Sequence, residues 1–266
     1  MGMNPSSSEK PISIKSDETL DSWGKGAVRV IQKKTGYRFS IDSLILSDFI
    51  RLKDPSLILD LGTGSGILAL LLARAYPSAR IIALELATES IDLARRNIVL
   101  NQFQDRISIV QGDLCQLPGF FKKGDFDAVV SNPPYRPLHR GRINPNPQKA
   151  MARHEIRVTL PQLFKAVAHT LKNGGKWFVI YPAWRLVSLL AISRQNRLEP
   201  KKIRLVHSFQ DKEAEWVLME AVYQGREDLK ILPPLTVYQE VGIYSPQIRE
   251  LLGASPETNR VSPESL

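Results

Sequence analysis

Short apolar runs alternate with longer stretches of helical spacing along the chain from about residue 57 onward. Apolar runs of this length are typical of buried strands, and apolar residues repeated every three or four positions indicate amphipathic helices. We predict strands at 57–61, 80–85, 106–111, 126–131, 176–181, 203–207 and 215–223, and helices at 67–76, 88–101, 160–171 and 184–195. This alternation predicts an α/β fold, with a mostly parallel seven-stranded sheet that has helices on both faces.

The segments outside this region carry weaker patterns. Residues 1–22 are polar and lack periodicity, which predicts a flexible N-terminal arm. Residues 27–39 alternate around a Lys-Lys-Thr-Gly run and predict a hairpin, and Asp42 is placed to cap a helix over 43–52. The predicted organisation is an arm at 1–22, a hairpin and helix at 23–54, one main domain at 55–225 and a C-terminal appendage at 226–266.

Composition narrows the class of protein. The 266 residues carry a net charge of +9, which favours a polyanionic partner, although a basic protein without such a partner has the same composition. No apolar stretch reaches the roughly 18 residues of a membrane helix. Cys115 is the single cysteine, which excludes an intramolecular disulfide and fits a cytoplasmic protein. The four histidines show no metal-ligand spacing, so no metal site is expected.

A glycine-rich run, Leu59-Asp60-Leu61-Gly62-Thr63-Gly64-Ser65-Gly66, joins the first strand of the main domain to its helix. Ligands of open α/β sheets bind at the carboxyl ends of the strands, and glycines there let the backbone approach a ligand closely. The spacing is G-x-G-x-G and differs from the G-x-G-x-x-G of the dinucleotide fingerprint. Taken alone, such a loop is also compatible with a tight turn or with NAD.

Two acidic residues follow the next two strands and strengthen the case for a nucleoside ligand. Glu85 ends the second strand, where a carboxylate can accept hydrogen bonds from both ribose hydroxyls, and Asp113 follows the third, within reach of an adenine amine. The set of loop and acids resembles the S-adenosylmethionine site of Rossmann-like class I methyltransferases. That resemblance implies that Asp60, Gly62, Gly64, Gly66, Glu85 and Asp113 bind this cofactor, with Asp60 orienting its methionine end.

The fourth strand runs into Ser131-Asn132-Pro133-Pro134-Tyr135. An amine on an aromatic ring is a poor nucleophile, and the Asn132 side-chain oxygen and the Pro133 carbonyl can each accept one of its N–H bonds. Fixed acceptors stabilise the positive charge that develops on nitrogen, and Tyr135 offers a face on which a base can stack. A Pro-rich turn is the alternative. The element resembles the N-P-P-Y motif of amino-methyltransferases, which implies that Asn132, Pro133 and Tyr135 hold the target and that Asn132 also lies against the cofactor.

Motifs from about Lys33 to Leu252 resemble the bacterial enzymes that methylate adenine N6 beside the anticodon of a valine tRNA. The resemblance rests on the Phe39…Asp42…Leu46 segment, the glycine-rich loop, the N-P-P-Y element, Ala152 to Glu155, and segments at 200–207 and 233–238. It implies a tRNA substrate. Glutamine methyltransferases of peptide release factors share the catalytic element, but this chain lacks their helical N-terminal domain. A binding module with a degenerate cofactor pocket is a third reading, which the intact acidic residues disfavour.

A basic loop follows the N-P-P-Y element directly. We expect it to contact RNA phosphates beside a splayed-out nucleotide, although an ordinary solvated loop is the alternative. Trp177 and Trp184 are expected in the core, and the protein is expected to be a monomer. The candidate RNA-binding residues are Arg136, Arg140, Arg142, Lys149 and Arg153.

Overall fold

The computed structural model describes residues 12–23, 28–35, 41–133 and 159–253. Its strands are β1 (Glu18–Trp23), β2 (Val28–Lys33), β3 (Leu57–Leu61), β4 (Arg80–Glu85), β5 (Ile107–Gln111), β6 (Phe126–Ser131), β7 (Leu171–Pro182), β8 (Leu198–His207), β9 (Ala214–Tyr223), β10 (Lys230–Ile231), β11 (Leu235–Thr236), β12 (Tyr238–Glu240) and β13 (Ile243–Tyr244). Its α-helices are α1 (Ile41–Phe49), α2 (Ile67–Ala75), α3 (Thr88–Leu100), α4 (Leu117–Phe120), α5 (Leu160–Thr170), α6 (Leu186–Gln195) and α7 (Pro246–Leu252).

Seven longer strands form the main sheet in the order β5-β4-β3-β6-β7-β9-β8. Strand β9 runs antiparallel to both of its neighbours, and the other pairs among these seven are parallel. The two-residue strands β10 and β11 extend the edge at β8. The predicted α/β fold with a mostly parallel sheet is therefore confirmed. The chain order reverses between β3 and β6, which is where sheets of this kind form a ligand crevice.

Successive residues of each strand serve two different cores, because side chains of a strand point alternately to opposite faces. Ile58 packs with α1 and α2 on one face, whereas Leu59 and Leu61 pack with α5 on the other. Trp177 is fully buried on that second face, where its ring meets Phe164 edge-on at 4.6 Å. Helices therefore cover both faces, as predicted.

The N-terminal hairpin differs from the prediction. Strand β2 pairs with β1, which precedes it, and most of the second half of the predicted hairpin lies outside the described residues. Strand β1 also lies mostly within residues 1–22, so the predicted flexible arm is wrong from Glu18 onward. The physical reason that β1 has a fixed place in the fold is an ion pair between Glu18 of this strand and Arg96 of α3. The two terminal guanidinium nitrogens of Arg96 donate to the fully buried Glu18 carboxylate, at 2.6 and 2.8 Å. This contact holds the pKa of Glu18 at about 2.

Two asparagines of α3 bind the backbone of β2 as a neighbouring strand would. Asn97 accepts from the Ile31 N–H at 2.6 Å and donates to the Ile31 carbonyl at 3.1 Å. Asn101 makes the same pair of hydrogen bonds with Arg29, at 2.9 and 2.6 Å. Residues four apart share one helix face and residues two apart share one strand edge, so the two spacings match. The hairpin is thereby fixed to α3.

Three further expectations need correction. Helix α1 begins at Ile41, so Asp42 lies in its first turn and its carboxylate accepts from the Ser43 N–H rather than capping the helix. Residues 230–253 are less separate than a C-terminal appendage, because Ile248 is fully buried in the same core as α1. Trp184 is 59% exposed at the beginning of α6, with the Arg185 guanidinium over its ring. No helix in the described part of the chain is long and apolar enough to span a membrane.

Candidate functional site

The glycine-rich loop leaves β3 at the carboxyl edge of the sheet and leads into α2. The backbone N–H groups of Gly62 and Thr63 both donate to the Leu84 carbonyl, at 2.9 and 3.0 Å, which fastens the loop to the end of β4. Gly66 has a φ of +87°, and a Cβ there would lie 3.3 Å from the Ala94 Cβ. Gly64 also has a positive φ, with no atom within 4 Å of an added Cβ. The loop therefore needs glycine at Gly66 for both conformation and space.

Asp60 lies beneath this loop and is 1% exposed. Its carboxylate accepts a hydrogen bond from the Thr63 hydroxyl at 2.6 Å. Among the described residues, no lysine or arginine forms an ion pair with it. Burial, with a smaller contribution from the negative charge of Glu85, raises the pKa of Asp60 from 3.8 to about 7. A buried carboxylate with no cationic protein partner is suited to a ligand that carries a positive charge.

Glu85 ends β4 and is almost fully buried. One oxygen accepts from the N–H groups of Leu86 and Ala87 at 2.8 and 3.0 Å, and the other accepts from the Gly64 N–H at 2.9 Å. A carboxylate offers about four acceptor positions, so one position remains on the oxygen that faces the loop. Hydrogen bonds to both hydroxyls of a ribose, as the sequence suggests, would require Gly64 to release this oxygen.

Asp113 follows β5 at the same edge, and the preceding Gly112 donates its N–H to the Glu85 carbonyl at 3.0 Å. One oxygen of Asp113 accepts from the Cys115 N–H at 2.8 Å and caps a short 3-10 helix. Gly112 packs directly under the Phe120 ring, because an added Cβ would lie 2.7 Å from a ring carbon. The two acidic residues thus border one region of the edge, as the sequence predicted from their strand ends.

Asn132 follows β6 at the reversal of strand order. Strands β3 and β6 are paired so that Leu61 lies beside Ser131, which places Asn132 next to the glycine-rich loop. Its side-chain amide donates from Nδ2 to the Ser43 Oγ at 3.0 Å. The buried Ser131 Oγ accepts from the Trp177 indole N–H at 3.0 Å, and Pro133 is also buried. The end of β6 is therefore fixed both by its backbone pairing with β3 and by the side-chain hydrogen bonds of Ser131 and Asn132.

One small cavity brings several predicted residues together. Asp60, Gly62, Gly64 and Asn132 line it, and Ser43 lines it as well. Sequence reasoning missed Ser43, and also Asn97, whose amide donates to the Ser65 carbonyl of the loop at 2.9 Å. Ser43 lies within the Phe39…Asp42…Leu46 segment of the family resemblance, which gave it no role, and Asn97 belongs to none of the motifs named above. Their roles come from contacts between segments more than 30 residues apart.

Six of the predicted site residues lie outside the described ranges. In the described part of the chain, no group of three or more histidine, cysteine or acidic residues is arranged to hold a metal ion. The predicted site residues outside the described ranges are Tyr135, Arg136, Arg140, Arg142, Lys149 and Arg153.

Comparisons with known proteins agree with this geometry. Residues 38–190, more than half of the chain, match the methyltransferase small domain family. A tRNA1(Val) (adenine(37)-N6)-methyltransferase of Porphyromonas gingivalis is 32% identical over 199 residues, which cover 73% of this chain and 76% of the relative. One from Dyadobacter fermentans is 26% identical over 241 residues, or 85% and 92% of the two chains.

A solved structure supports the fold. The structure of a predicted O-methyltransferase from Agrobacterium tumefaciens matches with a TM-score of 0.64 and 20% identity, over 80% of this chain and 95% of that chain. Together with the cavity beside Asp60 and Asn132, the sequence matches settle the family. The chain belongs to the methyltransferase small domain family and, within it, to the S-adenosylmethionine-dependent enzymes called tRNA1(Val) (adenine(37)-N6)-methyltransferases.

Proposed function

We propose that this protein transfers a methyl group from S-adenosylmethionine to N6 of adenine 37, beside the anticodon of a valine tRNA. The observation that carries the proposal is the position of Asn132, which lines the same cavity as Asp60 and the glycine-rich loop. The relatives' shared name supplies the nucleoside and its position. With a tRNA substrate, we expect the enzyme to act in the cytoplasm and as a monomer.

The residues of the loop fit this cofactor. Among the described residues, the buried Asp60 carboxylate forms no ion pair with a lysine or arginine, and it would pair with the ammonium of the methionine end. Glu85 has an acceptor position for a ribose hydroxyl, and Asp113 has a second carboxylate oxygen for the adenine amine. Gly62, Gly64 and Gly66 let the backbone follow the ligand closely. When bound, the cofactor supplies a methyl group that is already activated on a sulfonium.

The chain's own task is to present the target nitrogen. The Oδ1 of Asn132 and the Pro133 carbonyl would each accept one N–H of the adenine amine, which makes the nitrogen more tetrahedral and directs its lone pair toward the methyl group. Both acceptors stand on a stiff Pro-containing segment and stabilise the positive charge as it forms. Orientation of this kind supplies much of the rate when no strong base is required.

The remaining contacts of the proposal concern the RNA. Tyr135 would stack on the flipped adenine, and Arg136, Arg140, Arg142, Lys149 and Arg153 would contact the phosphates around it. A release-factor glutamine is not favoured, because the relatives' shared name specifies an adenine in tRNA.

The direct test is methyl transfer from labelled S-adenosylmethionine to unmodified tRNA, followed by nucleoside analysis. We expect labelled N6-methyladenosine, with Asn132→Ala lowering turnover by at least about a hundredfold while cofactor affinity changes little. Asn173→Ala is the matched control, because Asn173 is exposed in the turn of β7. Label in a release factor instead of tRNA would overturn the substrate, and full turnover by Asn132→Ala would overturn the assigned role of that side chain.

A further inference from the structure

Ser43 contacts the residue that holds the target, although it lies 89 positions earlier in the chain. It stands in the first turn of α1 and is 4% exposed. Its Oγ accepts a hydrogen bond from the Asn132 Nδ2 at 3.0 Å, and its own N–H donates to the Asp42 carboxylate at 2.9 Å. A buried serine with this geometry gives the Asn132 amide a fixed partner.

The two ends of an asparagine amide have opposite hydrogen-bonding roles, since the nitrogen donates and the oxygen accepts. The proposed reaction uses the oxygen of Asn132 as an acceptor for the adenine amine. An amide rotated by half a turn would present its NH₂ group to that amine, and the two donors would repel each other. A serine hydroxyl can both donate and accept, and in the structure it accepts from Nδ2, so the oxygen of the Asn132 amide is the end turned away from Ser43.

Helix α1, which carries Ser43, is packed rigidly against the core. Leu44, Ile45, Leu46 and Phe49 of α1 are all buried, and the Phe49 ring meets Phe178 of β7 edge-on at 6.3 Å. Buried side chains in close-packed cores move little, so the Ser43 Oγ keeps its place relative to the sheet.

The strand side of Asn132 is fixed independently. Ser131 is fully buried, pairs with Leu61 across the sheet, and accepts from the Trp177 indole. The backbone of Asn132 is therefore positioned by β6, and what remains to be set is the rotation of its side-chain amide. The hydrogen bond with Ser43 is one contact that acts on this rotation.

We propose that Ser43 is a positioning residue, which orients the Asn132 amide so that its oxygen faces the target amine. This inference rests on the proposed function of Asn132 as an acceptor. Ser43 itself does not touch the reacting atoms in this scheme. Its contribution is a higher fraction of time that Asn132 spends in the productive orientation.

The test compares Ser43→Ala with wild type in single-turnover methylation of unmodified tRNA, together with calorimetric binding of S-adenosylmethionine and thermal unfolding. We expect the rate of the chemical step to fall about tenfold, the worth of one hydrogen bond of about 1.4 kcal/mol. Cofactor Kd and tRNA KM should change by less than about twofold on the same argument, because Asn132 still occupies its place.

Ser47→Ala is the matched control. Ser47 lies one turn later on α1, and its hydroxyl donates to the Leu44 carbonyl at 2.8 Å without touching Asn132. An unchanged rate for Ser43→Ala would overturn the inference, and so would a rate loss accompanied by equal losses in cofactor affinity and stability. Wild-type protein that methylates no tRNA at all would instead overturn the proposed function, so the two failures are distinct.

Discussion

Replacing Asp60 with asparagine should make the protein without cofactor more stable above about pH 7, at the expense of cofactor binding. The pKa of Asp60 rises from 3.8 to about 7 on folding, chiefly because the carboxylate is buried. Each pKa unit corresponds to about 1.4 kcal/mol, so keeping Asp60 ionised costs the folded state about 4 kcal/mol. Asparagine removes this cost and still accepts from the Thr63 hydroxyl.

The new NH₂ group of the asparagine offsets part of the gain, because a buried donor without a partner costs about 1–3 kcal/mol. The net expectation is therefore a gain of about 1–3 kcal/mol at pH 8 on the same figures. The pH dependence follows from the raised pKa. The folded wild type binds a proton more tightly than the unfolded chain, so its stability falls as pH rises from about 4 to about 7. The advantage of Asp60→Asn should grow over this interval and then stay constant.

Urea unfolding of both proteins at several pH values between 5 and 8 measures this difference, and calorimetry measures the loss of S-adenosylmethionine binding. Asp127→Asn is a control of opposite sign. Burial raises the pKa of Asp127, but hydrogen bonds from Lys172 and Ser56 lower it by more than burial raises it. The pKa of Asp127 therefore lies below its usual value, and the ionised form stabilises the fold. Equal stability of wild type and Asp60→Asn at pH 8, or a difference that ignores pH, would refute the reasoning.

Three other changes test the scaffold around the site. Glu18→Gln should lower the melting temperature at pH 7 but not near pH 2, because the hydrogen bond from Arg96 depresses the pKa of Glu18 to about 2 and the stabilisation is lost as pH falls through that value. Asn97→Ala removes three hydrogen bonds, two of them buried, and should cost about 2–4 kcal/mol in urea unfolding, and an effect under about 0.5 kcal/mol would contradict the docking role of this amide. Gly112→Ala should destabilise the fold by about 1 kcal/mol because its Cβ would lie 2.7 Å from the Phe120 ring, and an unchanged midpoint of urea unfolding would show that this ring yields freely.

The central strands could be predicted from sequence because burial on both faces leaves a continuous apolar signal. The predicted strands at 57–61, 80–85 and 126–131 have the same bounds in the structure. Their carboxyl ends then follow from the parallel topology, which is why the loop and the acidic residues after β4 and β5 could be placed at one edge. The position of a site residue can therefore be predicted where a local apolar pattern defines a strand and the parallel topology defines the edge at which that strand ends.

The hairpin shows where that link fails. Alternation indicated a strand at β2, but it carries no information about the partner, and a Lys/Gly-rich segment flanks β2 on either side. Strand β1 is polar, and its buried Glu18 depends on Arg96, which lies 78 residues away. Trp184 was misplaced for a related reason, since an aromatic residue at the beginning of a helix can face either solvent or the core. The contact between Glu18 and Arg96 is one that no short window of sequence contains.

These long-range contacts change how the N-terminal segment should be understood. By sequence, residues 23–54 precede the glycine-rich loop and the N-P-P-Y element and look like an addition to the catalytic domain. In the structure, α1 supplies the Ser43 contact to Asn132, and β2 is joined through Asn97 to the Ser65 carbonyl of the cofactor loop. Motifs identify the two strand ends that meet at the reversal between β3 and β6, but these two side-chain bridges connect them to a third segment. The N-terminal segment is therefore joined to the candidate site by side-chain contacts, and the family match that begins at residue 38 includes α1.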